Sequence, residues 1–517
     1  MLGPAVRRLA LSVVAVPFVA CCWGTKNVET SGSTAAAPPA SDWPAMPVPG
    51  DAAAWEAPAS TKFTLSNGIP VTYVKTGSVP VTHVQLNLYR GYHSEPADKA
   101  GLASITADML NEGAGDRDAL ALDEALQLLA SGLSLGASGT YSYARFDSLE
   151  ANFDATLAIV ADVVRRPTLS QADLDRVRQD TKNRILTEKD NLSTTGSKVY
   201  YRLLFGDEGP GRWARGSASS LDGITTEDLA AFHAGVWRPD NAGLVVVGRQ
   251  EQEAIQASLE KHFGDWAAPE GAIPAEPAVV DGRKEGVTVY WVDHPGASQS
   301  ALYVGNGAGA FDADKAAARS VGNMVLGGQF TSRVNMNLRE DKGYTYGART
   351  RSGAGMDGGW FFGSASVKAG TTGLALAEFL SEFRAVTGDK PIDQTEYANA
   401  RGSLLQRRPA SFERMGGTLG QYASVDGDRR PEGWVAGYNA RVDAVSIESA
   451  QAELADSLDP SNLVILVVGD RGAAAQNAEG ADAGTTIEAA VAALGLGEIV
   501  WIDHEGGPAG LAVEGEK

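Results

Sequence analysis

The feature that most constrains the fold of this chain is an internal repeat, in which a pattern from the first half recurs in the second. Its clearest copies are residues 237–248 (WRPDNAGLVVVG) and residues 458–469 (LDPSNLVILVVG). Each copy has a Pro-x-Asn turn leading into an apolar run that ends at glycine, which is the pattern of a buried strand. A helical segment with a capping-type start precedes each copy, at 225–232 and at 446–457.

A second pair of segments repeats at nearly the same separation along the chain. One helix is predicted to start at residues 167–171 (PTLSQ), and its counterpart at residues 391–394 (PIDQ). Two independent segments that recur at nearly one offset predict two homologous domains.

Within each half, strand patterns and helix patterns mix without a phosphate-binding glycine loop. The first half opens with a hairpin pattern around Asn67-Gly68. The sequence therefore predicts an α+β fold in which each domain is an antiparallel-type sheet covered by helices. We expect an N-terminal domain over residues 60–270 and a C-terminal domain over residues 284–505, followed by a tail at 506–517.

The N-terminal residues resemble an export signal. Residues 1–22 combine Arg7 and Arg8 with a short apolar run, and residues 18–21 (FVAC) resemble a bacterial lipobox. We expect export to the bacterial cell envelope with a lipid anchor at Cys21 facing the periplasm; plain secretion with cleavage nearby is the alternative. Residues 23–59 are rich in Ala, Ser, Pro and Gly, which predicts a flexible linker.

The charge balance limits the classes of partner. The chain carries 64 acidic and 44 basic residues, a formal net charge of −20. Nucleic acids and anionic membranes bind clustered Lys and Arg, so we expect no nucleic-acid partner and membrane contact only through the anchor. The acidic surface is compatible with basic peptide substrates, although solubility alone also explains it. The two cysteines, Cys21 and Cys22, leave the body without a disulfide framework or a cysteine-based zinc site.

The histidine positions exclude one kind of metal site. Zinc motifs on helices place two histidines four residues apart with a glutamate between them. The six histidines of this chain are too far apart in sequence for either H-E-x-x-H or H-x-x-E-H to exist. A zinc site assembled from distant histidines stays open as an alternative.

Residues 90–96 (RGYHSEP) and 101–113 (GLASITADMLNEG) resemble the first-domain signature of the pitrilysin/insulinase family of zinc metallopeptidases, which includes the mitochondrial processing peptidases. The resemblance implies that the two metal-binding histidines fall on Ser104 and Asp108, and the catalytic glutamate on Ala107. The further metal-binding glutamate falls on about Arg184. All four positions are replaced, so the resemblance implies that this chain binds no zinc of its own. Asp108 and Glu112 could hold a hard cation weakly, but a solvated acidic helix face is the favoured explanation.

Residues 326–347 (LGGQFTSRVNMNLREDKGYTYG) resemble the second-domain motif of bacterial members of the family. There an Arg and a Tyr reach the active site of a zinc-bearing domain and hold the substrate backbone, which implies that role for Arg339 and Tyr346. The adjacent Gly327 and Gly328 match glycines that contact substrate. The alternative is that Arg339 pairs with a neighbouring carboxylate and Tyr346 lies in the core.

The resemblance spans about residues 60–505 and implies half of a clam-shell chamber. In paired bacterial members, one subunit carries the zinc motif and the other carries the Arg–Tyr pair. This chain is similar to the second kind, which implies a heterodimer with a zinc-bearing paralogue, with zinc in the partner, acting on peptides. A scaffold protein without a proteolytic role and an active peptidase with an atypical metal site are the alternatives.

Overall fold

The computed structural model of this chain describes residues 55–508. The predicted signal peptide, the lipobox at Cys21, most of the linker and the end of the tail lie outside the described residues. The described part forms two halves, each built around a six-stranded sheet covered by helices. The predicted α+β class is therefore confirmed. No helix within residues 55–508 is both long and apolar enough to cross a bilayer.

The first half alternates strands and helices along the chain. Its strands are β1 (Ser60–Thr64), β2 (Pro70–Lys75), β3 (Val81–Leu88), β4 (Gly113–Ala114), β5 (Arg117–Asp118), β6 (Gly132–Ala137), β7 (Ser142–Leu149) and β8 (Ala242–Gly248). Its helices are α1 (Leu102–Met109), α2 (Ala119–Leu128), α3 (Phe153–Arg165), α4 (Gln171–Glu188), α5 (Leu192–Phe205), α6 (Ala218–Asp222), α7 (Thr226–Val236) and α8 (Gln252–Phe263). The sheet has the spatial order β1-β2-β8-β3-β7-β6, and only β2 and β8 are parallel neighbours.

The second half repeats this plan. Its strands are β9 (Val287–Asp293), β10 (Gln299–Ala308), β11 (Thr345–Ala354), β12 (Gly359–Lys368), β13 (Leu463–Gly469), β14 (Ala474–Gln476), β15 (Asp482–Thr486) and β16 (Ile499–Ile502). Its helices are α9 (Ala316–Asn323), α10 (Arg333–Asn335), α11 (Thr372–Thr387), α12 (Gln394–Arg407), α13 (Met415–Gly427), α14 (Tyr438–Asp443), α15 (Ile447–Ser457) and α16 (Ile487–Ala492). The main sheet has the order β11-β12-β10-β13-β9-β16.

The two sheets correspond strand by strand, as the sequence repeat predicts. The order β2-β8-β3-β7-β6 in the first half matches β9-β13-β10-β12-β11 in the second. Capping boxes at Thr225 and Ser446 start α7 and α15, the two helices that precede the repeated strands. The outer edges differ: β1 is antiparallel to β2, whereas the late strand β16 is parallel to β9.

The repeated strands β8 and β13 are buried on both faces, which explains their continuous apolar sequences. On one face Leu244 and Val246 join the core of the first half. On the other face Val245 and Val247 pack against α13, a helix of the second half. Each buried Val or Leu side chain stabilises the fold by about 1.5–3 kcal/mol relative to an exposed one, so both layers hold the sheet.

A helix of the first half likewise packs on the sheet of the second half. Helix α5 of the first half packs on β10 and β13, with Tyr200 and Leu204 against Val464 and Leu466. The hydroxyl of Tyr200 donates to the carbonyl of Val464 at 3.2 Å. Each half therefore covers its sheet partly with a helix from the other half.

Residues at the end of the predicted linker also contact the second half. The carbonyl of Trp55 accepts a hydrogen bond from Asn439, and the Trp55 ring lies 5.0 Å from that of Phe412. Between the halves, residues 264–286 form no helix or strand, in the region where the sequence predicts the junction. The predicted boundaries at 270 and 284 stay predictions.

Candidate functional site

Helix α1 carries the positions that correspond to the missing zinc motif. Its N-cap is Gly101, whose φ of 96° lies in the left-handed region that favours glycine. The Ser104 hydroxyl donates to the carbonyl of Ala214 at 2.5 Å, and Ala107 is fully buried in the core. The Ser104 hydroxyl is thus engaged by the backbone, and the Ala107 methyl group has no atom that could bind a metal.

The structure places Arg184 of α4 near Asp108. Burial raises the pKa of Asp108, while the nearby cations Arg184 and Arg215 lower it. Arg184 thus puts a positive charge where a zinc site needs an anionic ligand. Glu188, the one glutamate of α4, is paired with Lys198 at 2.9 Å and also with Arg215.

These groups do not fit a zinc ion, because the carboxylates of Asp108 and Glu188 lie among three cations and no histidine or cysteine of the described residues accompanies them. Glu112 forms an ion pair with Arg176, so it is not a free partner for Asp108 in binding a hard cation. Across residues 55–508, no three His, Cys, Asp or Glu side chains are grouped so that they could hold a metal.

The segment that carries Arg339 and Tyr346 lies at the surface. Two turns of π-helix, Met324–Gly328 and Met336–Asp341, lead into β11, an edge strand. Such turns are frequent at functional sites. Tyr346 is 91% exposed, so the alternative that it is a core residue is wrong.

Arg339 makes local contacts, as the other alternative expects. Its Nε lies 3.0 Å from Glu340 Oε1, and its guanidinium lies 4.7 Å from the centre of the Phe330 ring. The Arg339 side chain is still 41% exposed. A surface ion pair of this kind contributes at most about 1 kcal/mol, so a ligand can displace it.

Gly327 and Gly328 end the first π-helical turn, Met324–Gly328. A Cβ on Gly327 would lie 2.1 Å from the Thr350 amide nitrogen of β11, so this glycine permits close packing. A Cβ on Gly328 would lie 2.9 Å from Asn323 Nδ2. Substrate contact by either glycine stays a prediction.

Sequence reasoning missed a buried pair that joins the two halves. His93 Nδ1 contacts the carboxylate of Asp357, which lies in the glycine-rich hairpin between β11 and β12 and is 2% exposed. The Asp357 carbonyl accepts from the amide of Val280 at 2.9 Å. No local sequence pattern marks a contact between residues so distant along the chain.

This pair lines a cleft of about 610 Å³ between the halves. The same cleft is lined by Glu188, Ala214 and Arg215, which surround the altered metal-site positions. The candidate site therefore has two separate parts: a charged cleft beside α1, and an exposed Arg–Tyr motif at the start of β11.

Comparison with known proteins identifies the fold and the relationship. Residues 223–404, which include both Arg339 and Tyr346, match the family model described as "Peptidase M16 inactive domain". This part of the chain is therefore similar to the inactive domain of the M16 peptidases. An uncharacterized zinc protease of Mycobacterium leprae is 24% identical to this chain over 66% of the chain and 77% of that protein. The non-peptidase homolog YmxG of Helicobacter pylori is 22% identical over 68% and 80%, respectively.

A solved structure agrees with the fold. The peptidase M16 inactive domain from Pseudomonas fluorescens superposes with a TM-score of 0.74 at 23% identity, covering 81% of this chain and 99% of that one. The predicted family resemblance and the predicted clam-shell half of two homologous domains are therefore confirmed.

Proposed function

We propose that this chain is the non-catalytic, substrate-binding subunit of a zinc metallopeptidase, completing the active site of a zinc-bearing paralogue. One observation carries the proposal. The chain has lost the metal-site residues at Ser104, Ala107 and Asp108, yet it presents Tyr346 and Arg339 at its surface.

The chemistry of the exposed pair suits this role. A guanidinium and a phenol both donate hydrogen bonds, and carbonyl oxygens of an extended peptide accept them whatever the side chains are. In a water-poor chamber such donors also stabilise an oxyanion that forms when the peptide bond is attacked. The zinc ion and the attacking water belong to the partner, and this chain binds no cofactor.

The test is co-expression with a zinc-bearing paralogue that has an intact H-x-x-E-H motif. We expect the two chains to co-purify and the pair to cleave peptides, whereas this chain alone does not. Arg339→Ala and Tyr346→Phe should each lower kcat/KM of the pair by about 10²-fold, the usual cost of one transition-state donor. Arg384→Ala, an exposed arginine of α11, is the matched control and should leave the rate unchanged.

Other outcomes identify the alternatives. Peptide cleavage by this chain alone, together with zinc in the purified protein, would favour an atypical metallopeptidase. A stable complex whose activity is insensitive to Arg339→Ala would favour a scaffold without a proteolytic role.

The proposal extends to the cell envelope, where a lipid on Cys21 would hold the protein facing the periplasm. The basis is the sequence pattern of residues 1–22. A Cys21→Ser variant should move from the membrane fraction to the soluble fraction. If it stays with the membranes, the anchor is not at Cys21.

A further inference from the structure

A second groove lies between α5 and the face of the second sheet on which α5 packs. Its volume is about 540 Å³, and it is formed by α5 on one side and by β10, β11 and β12 on the other. Tyr303 and Phe362 form its apolar floor, and Ser364 and Ser366 add hydroxyls. We call it the basic groove because three cations line it.

Three cations line the basic groove: Lys198, Arg349 and Arg351, and no carboxylate belongs to its lining. Lys198 shares Glu188 with Arg215. Arg349 and Arg351 are exposed and form no ion pair or side-chain hydrogen bond with any residue in 55–508. The chain as a whole has a net charge of −20, so the uncompensated positive charge of the two arginines sets this groove apart from the rest of the chain.

The two arginines are spaced for an extended ligand. Arg349 lies opposite Ser364 and Arg351 opposite Phe362 in the β11–β12 ladder, so both project from one face. Residues two apart on a strand are about 6.6–7 Å apart, which is also the spacing of alternate side chains in an extended peptide. Alternate carboxylates of such a peptide can therefore meet both guanidinium groups at once.

The groove continues from the exposed motif. Gly347, which follows Tyr346, lines the groove, and the pairing of β11 with β12 shifts register between Thr345 and Ala348. A peptide whose backbone is held by Tyr346 is thus led directly toward Arg349. The floor of Tyr303 and Phe362 supplies apolar contact for the intervening side chains.

We propose that the basic groove selects acidic, extended peptide segments with carboxylates at alternate positions. The inference rests on the proposed function, since it names the class of peptide that this subunit presents to its partner. It also reverses the expectation from net charge, which allows for basic peptides.

The test measures peptide binding to the full chain alone, by fluorescence anisotropy at low and at physiological salt. The probes are three labelled peptides of one length: one with alternating Glu and Ser, one with Gln in place of Glu, and one with Lys. We expect the Glu peptide to bind at least about tenfold more tightly than the other two, with affinity that falls as salt rises.

The variant Arg349→Gln/Arg351→Gln should lose most of this preference, by about tenfold or more, because two charge-assisted contacts disappear. The matched control is Arg384→Gln/Arg414→Gln, which removes two exposed arginines outside the groove and changes the net charge equally. It should keep the preference. Both arginines of the groove lack a salt-bridge partner within residues 55–508, so we expect the variant to keep the wild-type Tm.

Equal binding of the Glu and Lys peptides, tighter binding of the Lys peptide, or equal losses in the two double variants would each overturn the proposal. Binding to anionic vesicles that depends on Arg349 and Arg351 but not to the Glu peptide would also overturn it. Because no protease partner is present, failure of peptide selection is distinct from failure of the paired peptidase, which is measured by cleavage.

Discussion

At the scale of single residues, the buried carboxyl group of Glu95 has a pKa that the fold raises. Its two carboxyl oxygens accept the amides of Gly101 and Ala103 at 2.9 Å at the start of α1. Burial nevertheless raises the pKa of Glu95 to about 8, because the hydrogen bonds and Arg212 offset only part of the desolvation cost. The folded protein therefore holds a proton that the unfolded chain releases at lower pH.

This shift predicts a loss of stability as the pH rises. Between about pH 4.5 and 8 the unfolded chain binds fewer protons at this position than the folded chain, so the free energy of unfolding falls. Glu95→Gln should remove this contribution, on the order of a few kcal/mol, and flatten the pH profile over that interval. Denaturant unfolding across this pH interval measures it. Glu253→Gln, at an exposed position of α8, is the control and should leave the profile unchanged.

Gly327 gives a second prediction at this scale. Gly327→Ala should lower the free energy of unfolding by about 3 kcal/mol, since the new methyl group would overlap the backbone of Thr350. Gly402→Ala, in the middle of α12 with nothing within 4 Å of the new atom, should instead stabilise by about 0.5–1 kcal/mol. Denaturant unfolding measures both, and equal effects of the two substitutions would contradict the packing role of Gly327.

Single residues also show what the sequence can predict. The family resemblance put altered metal-site positions at Asp108 and at about Arg184, and in the structure the Arg184 guanidinium is near enough to counteract the rise in the pKa of Asp108 that burial causes. The exposure of Tyr346 and the pairing of Arg339 with Glu340 depend on how the π-helix and the start of β11 pack, which motif spacing does not encode. The His93–Asp357 contact depends on the packing of one half on the other, so no local pattern contains it.

At the scale of elements, the exchanged helices α5 and α13 are the main bond between the halves. The apolar runs of β8 and β13 predicted buried strands correctly, since burial on both faces requires apolar residues throughout. Which helix covers each face could not be predicted, because α13 lies in the second half, far along the chain from β8. The hydrophobic pattern of a strand indicates that a face of the sheet is buried, but it does not indicate which helix covers that face.

Because the helices are exchanged, a core substitution in a helix of one half should destabilise the sheet of the other half. Leu419→Ala on α13 should lower stability by about 2–5 kcal/mol and speed hydrogen exchange of the β8 amides at Leu244–Val247. Leu128→Ala, at a position of α2 that is 79% exposed, is the control. Unchanged protection of β8 in Leu419→Ala would show that α13 does not hold the first sheet.

At the scale of the whole molecule, the two halves should unfold together. Each half has a core on one face of its sheet, but the opposite face is covered in part by a helix from the other half. We expect one calorimetric transition that coincides with the fluorescence change, as a cooperative unit shows. Two resolved transitions would mean that the halves are independent and that the exchanged helices contribute little.

The exchange of helices also sets an order in which the protein can be made. Synthesis runs from the N-terminus, and β8 is complete at Gly248, whereas α13 ends at Gly427. Until those later residues emerge, Val245 and Val247 have no cover, and the nascent first half presents an apolar strand to the solvent. Intermediates that expose apolar strands aggregate readily. We therefore expect the incomplete chain, before α13 has been made, to aggregate more readily than the complete one.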